Sequence, residues 1–250
     1  MFNYSPYVIN FNEEDKNVNQ TNIDFLLKKN ADDTVRIAFT GDTHRYFDEF
    51  DGFVNSVNEI NRNNPIDFVV HVGDIADFGL PQQYLWGNSY LLNLACPYFA
   101  VVGNHDLVGN GKLGYSEMFG DFNFSFIYSD IKFIFIDTNS REYGFDGKVP
   151  DINWLESQLT PNKNFKKAVV IFHIPPMNGD FDSSLEEDFH TSLEKFNNVM
   201  FTVHGHLHNH EIYYPYSDDI TYVNVYGIEY EKFNIITITN EKFEIETCKF

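Results

Sequence analysis

Apolar and polar positions along the chain follow two different periods. Short runs of β-branched and aromatic residues, Val35 to Phe39, Phe68 to Val72, Tyr98 to Val102, Ala168 to Ile171 and Val199 to Val203, read as buried strands. Between them the period lengthens. Phe50, Phe53, Val54 and Val57 recur at spacings of three and four within Phe47 to Arg62, which predicts an amphipathic helix. Pro81 to Ala95 predicts a second helix ending before Pro97, Asp151 to Leu159 a short one with Pro161 beyond it, and Ser183 to Phe196 a longer one. Phe122 to Tyr128 and Ile131 to Asp137, separated by Ser129-Asp130, predict a hairpin. From Ile220 onward the chain is rich in Thr, Tyr, Ile and Val, with Asn240-Glu241 between Ile235-Thr239 and Phe243-Thr247, so antiparallel strands are expected to finish the fold. Residues 1–33 are polar, with one helical patch around Asn22 to Lys29, and read as an N-terminal extension packing on a domain of residues 34–250. The sum is a mixed α/β sandwich of two facing sheets flanked by helices, without internal repeat or low-complexity segment.

Each of the five strand runs is followed by polar chemistry: Gly41-Asp42-Thr43-His44, Gly73-Asp74, Gly103-Asn104-His105-Asp106, His173 after Phe172, and Gly205-His206-Leu207-His208. Open sheets place their sites at strand carboxyl ends, so these groups are expected to meet. Asp42 and His44, two positions apart, point the same way in extended chain and can grip one ion. Alone, Asp42 reads equally well as a turn cap. Asp74 offers a carboxylate able to bridge two cations, though Gly-Asp is also a common turn; Asp77 reads as a helix start or as support for the site. Asn104, His105 and Asp106 suggest an amide ligand, a proton donor and the partner that orients it. His206 and His208, on a glycine-led turn, can reach two ions from one side, whereas His204 reads as strand, His210 as exit loop, and His71 and His190 as structural. A lone His173 says little. Jointly the bland readings fail, because so many coincidences of ligand chemistry at strand ends are improbable in a chain with 9 His.

At 250 residues and 43% hydrophobic, the chain can bury the core of one large domain. Lys+Arg of 17 against Asp+Glu of 37 gives a net charge of -20, a mean field that repels polyanions and argues against a broad nucleic-acid groove. Two divalent ions would leave roughly -16, yet would still attract a phosphate locally. Cys96 and Cys248 match no zinc spacing, and Cys96 reads as core. No apolar stretch reaches the length of a membrane span, and Met1 to Pro6 lacks the signature of a signal peptide; the chain reads as soluble, with its compartment open.

The ordered set Asp-x-His, Gly-Asp, Gly-Asn-His-Asp, His, Gly-His-x-His, running from Thr34 to about His210, resembles the signature of the calcineurin-like metallophosphoesterase superfamily. The resemblance implies a four-layer α/β/β/α sandwich and a two-metal centre. Position by position, it implies that Asp42, His44 and His208 hold one metal and Asn104, His173 and His206 the other, with Asp74 bridging. Purple acid phosphatases carry a tyrosinate after the Gly-Asp motif. Here that position corresponds to Asp77, so no charge-transfer colour is expected. The segments around Asp74 and Asn104 locally resemble the class III cyclic-nucleotide phosphodiesterase branch.

Two cations about 3.5 to 4 Å apart would share a hydroxide that attacks phosphorus, with His105, held by Asp106, assisting the leaving group. Mixed O and N ligands suit Fe, Mn, Zn or Co. The expected activity is hydrolysis of a small phosphomonoester or phosphodiester. The alternatives are a cyclic-nucleotide phosphodiesterase, a nuclease disfavoured by the charge, and a metal-binding scaffold whose catalysis has lapsed. Arg45 and Arg141 are the candidate phosphate clamps, and Tyr115, Tyr143, Phe145 and Tyr213, in loops after the motifs, are candidates to stack on a substrate ring. Oligomeric state is unreadable from the sequence.

Overall fold

Residue alternation along the strands sorts side chains into separate cores. In β1 (Val35–Thr40), Ile37 and Phe39 face one core and Ala38 the other; in β6 (Lys167–Ile171), Val169 and Ile171 face that same central core while Ala168 and Val170 face away. This period of two is what lets each strand bury both faces. The computed structural model describes residues 5–29, 32–216, 219–239 and 242–250. Within them two mixed sheets pack face to face.

The first sheet joins β1, β2 (Phe68–His71) and β3 (Tyr98–Ala100) in parallel, with β10 (Lys232–Ile238) antiparallel to β1 and β11 (Phe243–Lys249) outside it. The second runs in the order β4 (Phe124–Tyr128), β5 (Ile131–Phe135), β6, β7 (Val199–His204), β9 (Thr221–Asn224) and β8 (Glu211–Tyr213). Between the sheets lies an aromatic-rich core that includes Phe39, Phe68, Phe99, Phe126, Phe133, Phe135 and Phe201.

Helices α1 (Val18–Leu26), α2 (Phe47–Asn63), α3 (Pro81–Leu91) and α4 (Gly111–Phe119) lie on the first sheet, and α5 (Ile152–Leu159) and α6 (Glu186–Glu194) on the second. Helix α2 buries Phe50, Phe53, Val54 and Val57, the stripe that its spacing predicts. Asp151 caps α5 by accepting the Trp154 N–H at 2.9 Å. Helix α1 is fastened by Asn19, whose amide makes paired bonds with the Ala100 backbone at 2.9 and 3.1 Å. The layers are therefore α/β/β/α. No helix among the described residues is long and apolar enough to cross a membrane.

The hairpin from β4 to β5 turns at Ser129-Asp130, both at positive φ (52° and 61°), the two-residue geometry whose twist suits antiparallel strands. Three expectations need correction. Helix α4 occupies part of the segment after the third motif, read as loop because Gly111 and Gly114 obscure its periodicity; Gly114 lets the Tyr84 ring approach closely. Strand β9 pairs in parallel with β7 and antiparallel with β8, so of the strands after Ile220 only β10 and β11 are wholly antiparallel. The strand runs at Val72 and Val102 end early, at His71 and Ala100, because the chain must turn to deliver the motif residues. The turn expected at Asn240-Glu241 lies outside the described residues.

Candidate metal centre

Parallel register brings the motifs together. Thr40 lies opposite His71 and His71 opposite Ala100, so β1, β2 and β3 end at one edge; Ile171 opposite Val203 does the same for β6 and β7. The loops that follow interlock, with Asp42 N–H donating to the Gly73 carbonyl and His44 N–H to the Asp74 carbonyl, each at 3.0 Å. His173 spans the sheets: its Nδ1 sits 2.7 Å from the Val72 carbonyl, which leaves Nε2 facing Asp74 Oδ2 at 3.2 Å and Asn104 Oδ1 at 3.1 Å.

Two donor sets result. Asn104 Oδ1 also lies 3.1 Å from His206 Nδ1, so an amide oxygen and two imidazoles converge with Asp74. On the other side His208 Nε2 is 3.6 Å from Asp42 Oδ1, and His44 Nε2 is 3.7 Å from Asp74 Oδ2. A single oxygen of Asp74, Oδ2, faces both sets, because Oδ1 accepts the His105 N–H at 2.9 Å.

The arrangement is strained and tightly backed. Asp42, His44, Asp74, His206 and His208 all adopt positive φ, between 49° and 71°. Such conformations cost non-glycine residues about 1–3 kcal/mol each and persist only where the surroundings enforce them. A Cβ at Gly103 would lie 2.2 Å from Asp74 Oδ1, and one at Gly205 would lie 2.9 Å from Asp42 Oδ2. These glycines leave room for the carboxylates behind the donor sets.

Charge is concentrated and unbalanced. Asp42 and Asp74 are buried, and burial pushes the Asp42 carboxyl up to about 6. Burial would raise Asp74 as well, but the facing His173 brings it below the usual carboxylate range. His173, which burial would lower, is lifted to about 10 by the Asp74 carboxylate. Burial lowers His44 and His206 to about 4, so they present neutral rings. Neutral imidazoles, an amide oxygen and buried carboxylates are a donor chemistry that fits divalent metal ions, whose charge would replace the proton shared by Asp74 and His173.

Around the donors the roles differ from the expected ones. His105 Nδ1 lies 2.9 Å from the Asp77 carbonyl oxygen and 3.4 Å from its carboxylate. Asp106 is not its partner. Both Asp106 oxygens accept backbone N–H groups at 2.9 Å, from Asp74 and Gly103 on one and from Ala76 on the other. The single turn of 3-10 helix at His105–Leu107 sends these adjacent side chains in different directions, His105 outward and Asp106 into the core.

Arg141 pairs with Asp180 at 3.0 Å, and Asp180 in turn lies 3.7 Å from His206 Nε2; Arg45 is largely exposed, 3.9 Å from Asp77. Tyr115 is core, donating to the Ala100 carbonyl, while Tyr213 bonds to the buried His204 at 2.8 Å. Tyr143 donates to Asp137 at 2.7 Å, which leaves Phe145 as the exposed ring of the four. His71 is buried beneath the site, 2.7 Å from Thr43 Oγ1. Sequence reasoning missed Asp180 and Glu229, whose Oε1 lies 2.6 Å from His208 Nδ1. Asp180 follows no apolar run, and Glu229, although it follows Val225-Tyr226-Gly227-Ile228, is not part of a Gly-Asp, Gly-Asn or Gly-His motif.

The family profile described as calcineurin-like phosphoesterase matches residues 35–210. The chain belongs to that family. It is a metal-dependent phosphoester hydrolase. A probable cyclic nucleotide phosphodiesterase of Xenorhabdus bovienii is 26% identical over 177 residues, 67% of this chain and 71% of the relative. A probable glycerophosphodiester phosphodiesterase of Arcobacter nitrofigilis is 27% identical over 168 residues, 62% of this chain and 61% of the relative. Among solved structures, a dimetal phosphatase from Danio rerio superposes with a TM-score of 0.67 at 13% identity, covering 86% of this chain and 96% of that one. That last likeness concerns the fold alone.

Proposed function

We propose that the chain hydrolyses small phosphoesters, diesters foremost, with Asp42, His44 and His208 holding one cation, Asn104, His173 and His206 a second, and Asp74 shared. The observation that carries this reading is the position of Asp74 Oδ2, 3.7 Å from His44 Nε2 and 3.2 Å from His173 Nε2, so that one oxygen serves both donor sets. The relatives named for cyclic-nucleotide and glycerophosphodiester cleavage support the emphasis on diesters. When bound, a pair of such ions draws phosphate into the site and brings the pKa of water toward neutrality.

The chain's own residues supply the rest. His105 is half-exposed beside the donor sets, and with its Nδ1–H donated to the Asp77 carbonyl, the doubly protonated ring carries a second proton on Nε2 that it can give to the departing oxygen, leaving the neutral imidazole. A positioned group of this kind contributes about 10² to 10⁴-fold. Arg45, exposed and paired with Asp77 only at 3.9 Å, can swing toward a phosphate oxygen, whereas Arg141 is engaged with Asp180 at 3.0 Å. With a net charge of -20, long polyanions are repelled while a small ester is not. Turnover of an aryl phosphate, a bis-aryl phosphate, glycerophosphoethanolamine, cyclic AMP and a DNA oligomer under identical Mn²⁺ loading tests the reading. We expect the small diesters to lead. Preferential cleavage of the oligomer at physiological salt would overturn the electrostatic argument, and no turnover of any ester would support a lapsed scaffold instead.

A further inference from the structure

The connection from β9 to β10 carries the chain from one sheet to the other and passes the ligand cluster on the way. Gly227 forms an isolated parallel bridge with Gly41, and the Ile228 N–H donates to the Gly41 carbonyl at 3.1 Å. The Gly227 N–H donates to the His208 carbonyl at 2.5 Å. One short segment therefore grips both the residue before Asp42 and the backbone of His208. From the 3-10 turn Ile228–Tyr230 that follows, Glu229 reaches back to His208, with Oε1 2.6 Å from Nδ1. The other ring nitrogen, Nε2, lies toward Asp42. A carboxylate on Nδ1 fixes the tautomer that leaves the Nε2 lone pair bare, and it holds the ring plane.

The motif's other histidine, His206, has only a looser carboxylate partner. Asp180 is 3.7 Å from His206 Nε2 and shares itself with Arg141 at 3.0 Å. Glu229 is packed closely as well: a Cβ on Gly227 would lie 2.4 Å from its Oε2, so only glycine leaves the carboxylate its place. The residue sits beyond the segment matched by the family profile, which ends at residue 210.

We infer that Glu229 is a positioning residue for one cation site, the one served by Asp42, His44 and His208, and leaves the other site unaffected. The inference rests on the two-site partition proposed above. Its test is calorimetric titration of the metal-free protein with Mn²⁺ alone, read as two binding events. Glu229→Ala should weaken one event about 10 to 100-fold, the cost of losing an outer partner of a metal-ligating histidine. Glu229→Gln, nearly isosteric and still able to accept the Nδ1–H, should lose less and keep the metal-free melting temperature of the parent. His208→Ala should weaken the same event, and adding Glu229→Ala to it should cause little further loss, since both act through one ring. Two events of parental affinity in Glu229→Ala overturn the role of Glu229. Equal weakening of both events by Glu229→Gln does so too. A parent protein that binds only one ion overturns the partition itself, and the inference with it.

Discussion

His105 takes its orientation from Asp77: the imidazole Nδ1 lies 2.9 Å from the Asp77 carbonyl oxygen and 3.4 Å from its carboxylate. Two contacts from one residue hold the ring, and the carbonyl contact survives replacement of the side chain. His105→Ala should therefore lower kcat by about 10² to 10⁴-fold with metal content nearly intact, as for loss of a proton donor. Asp77→Ala should cost less, because the backbone acceptor remains. Metal analysis beside steady-state kinetics checks both. Loss of metal in His105→Ala would make the imidazole a ligand.

Asp106 has a different task, and its replacement should act on stability first. Its carboxylate accepts the N–H groups of Asp74, Ala76 and Gly103, which join the second and third motif loops in a region closed to water. Each buried donor left without an acceptor costs about 1–3 kcal/mol. Asp106→Ala strands three of them, so a loss of about 3 kcal/mol or more is expected, together with weakened metal uptake. Urea denaturation of the metal-free protein measures it. A loss confined to kcat at parental stability would return Asp106 to the chemistry.

Much of this centre is legible in the sequence because its donors follow apolar runs directly. Parallel pairing then converts five separate strand ends into two edges, one in each sheet, so local pattern and global geometry coincide for Asp42, Asp74, Asn104, His173 and His206. The orienting groups obey no such rule. Asp180 and Glu229 arrive from loops remote in the chain, and among 37 acidic residues nothing local distinguishes them. The direction of Asp106 depends on a single 3-10 turn, which adjacency to His105 conceals. Helix α4 escapes for a related reason: glycines hold the buried positions Gly111 and Gly114 of its first turns, so its apolar stripe of Tyr115, Met118 and Phe119 begins late and is too short to show a period.

The shared position of Asp74 separates two kinds of ligand loss. Its Oδ2 faces both donor sets, so Asp74→Ala should abolish tight binding at both. His44 clusters with Asp42 and His208, and with Asp74 and His105, but not with His173, so His44→Ala should weaken one ion and spare the other. Metal content after dialysis against graded chelator distinguishes the two variants. Equal loss at both sites from His44→Ala would mean that the ligand partition is wrong.

A methyl group can test how closely the loops must pack. At Gly103 an added Cβ would stand 2.2 Å from Asp74 Oδ1 and 2.3 Å from Asp74 N, and the backbone nitrogen cannot move aside cheaply. Gly103→Ala must push the Asp74 loop outward, which displaces the shared carboxylate and breaks the Gly103 N–H bond to Asp106. Loss of metal at both sites is expected, with a stability cost of about 1–3 kcal/mol for the overpacked loop. Gly147→Ala is the control. It sits at φ +74° with nothing within 4 Å of the added carbon, so it carries only the left-handed backbone penalty of about 1–2 kcal/mol and should bind metal normally. If Gly103→Ala takes up both ions like the parent, the two loops can slide past one another, and the rigid backing of Asp74 is not what makes the centre.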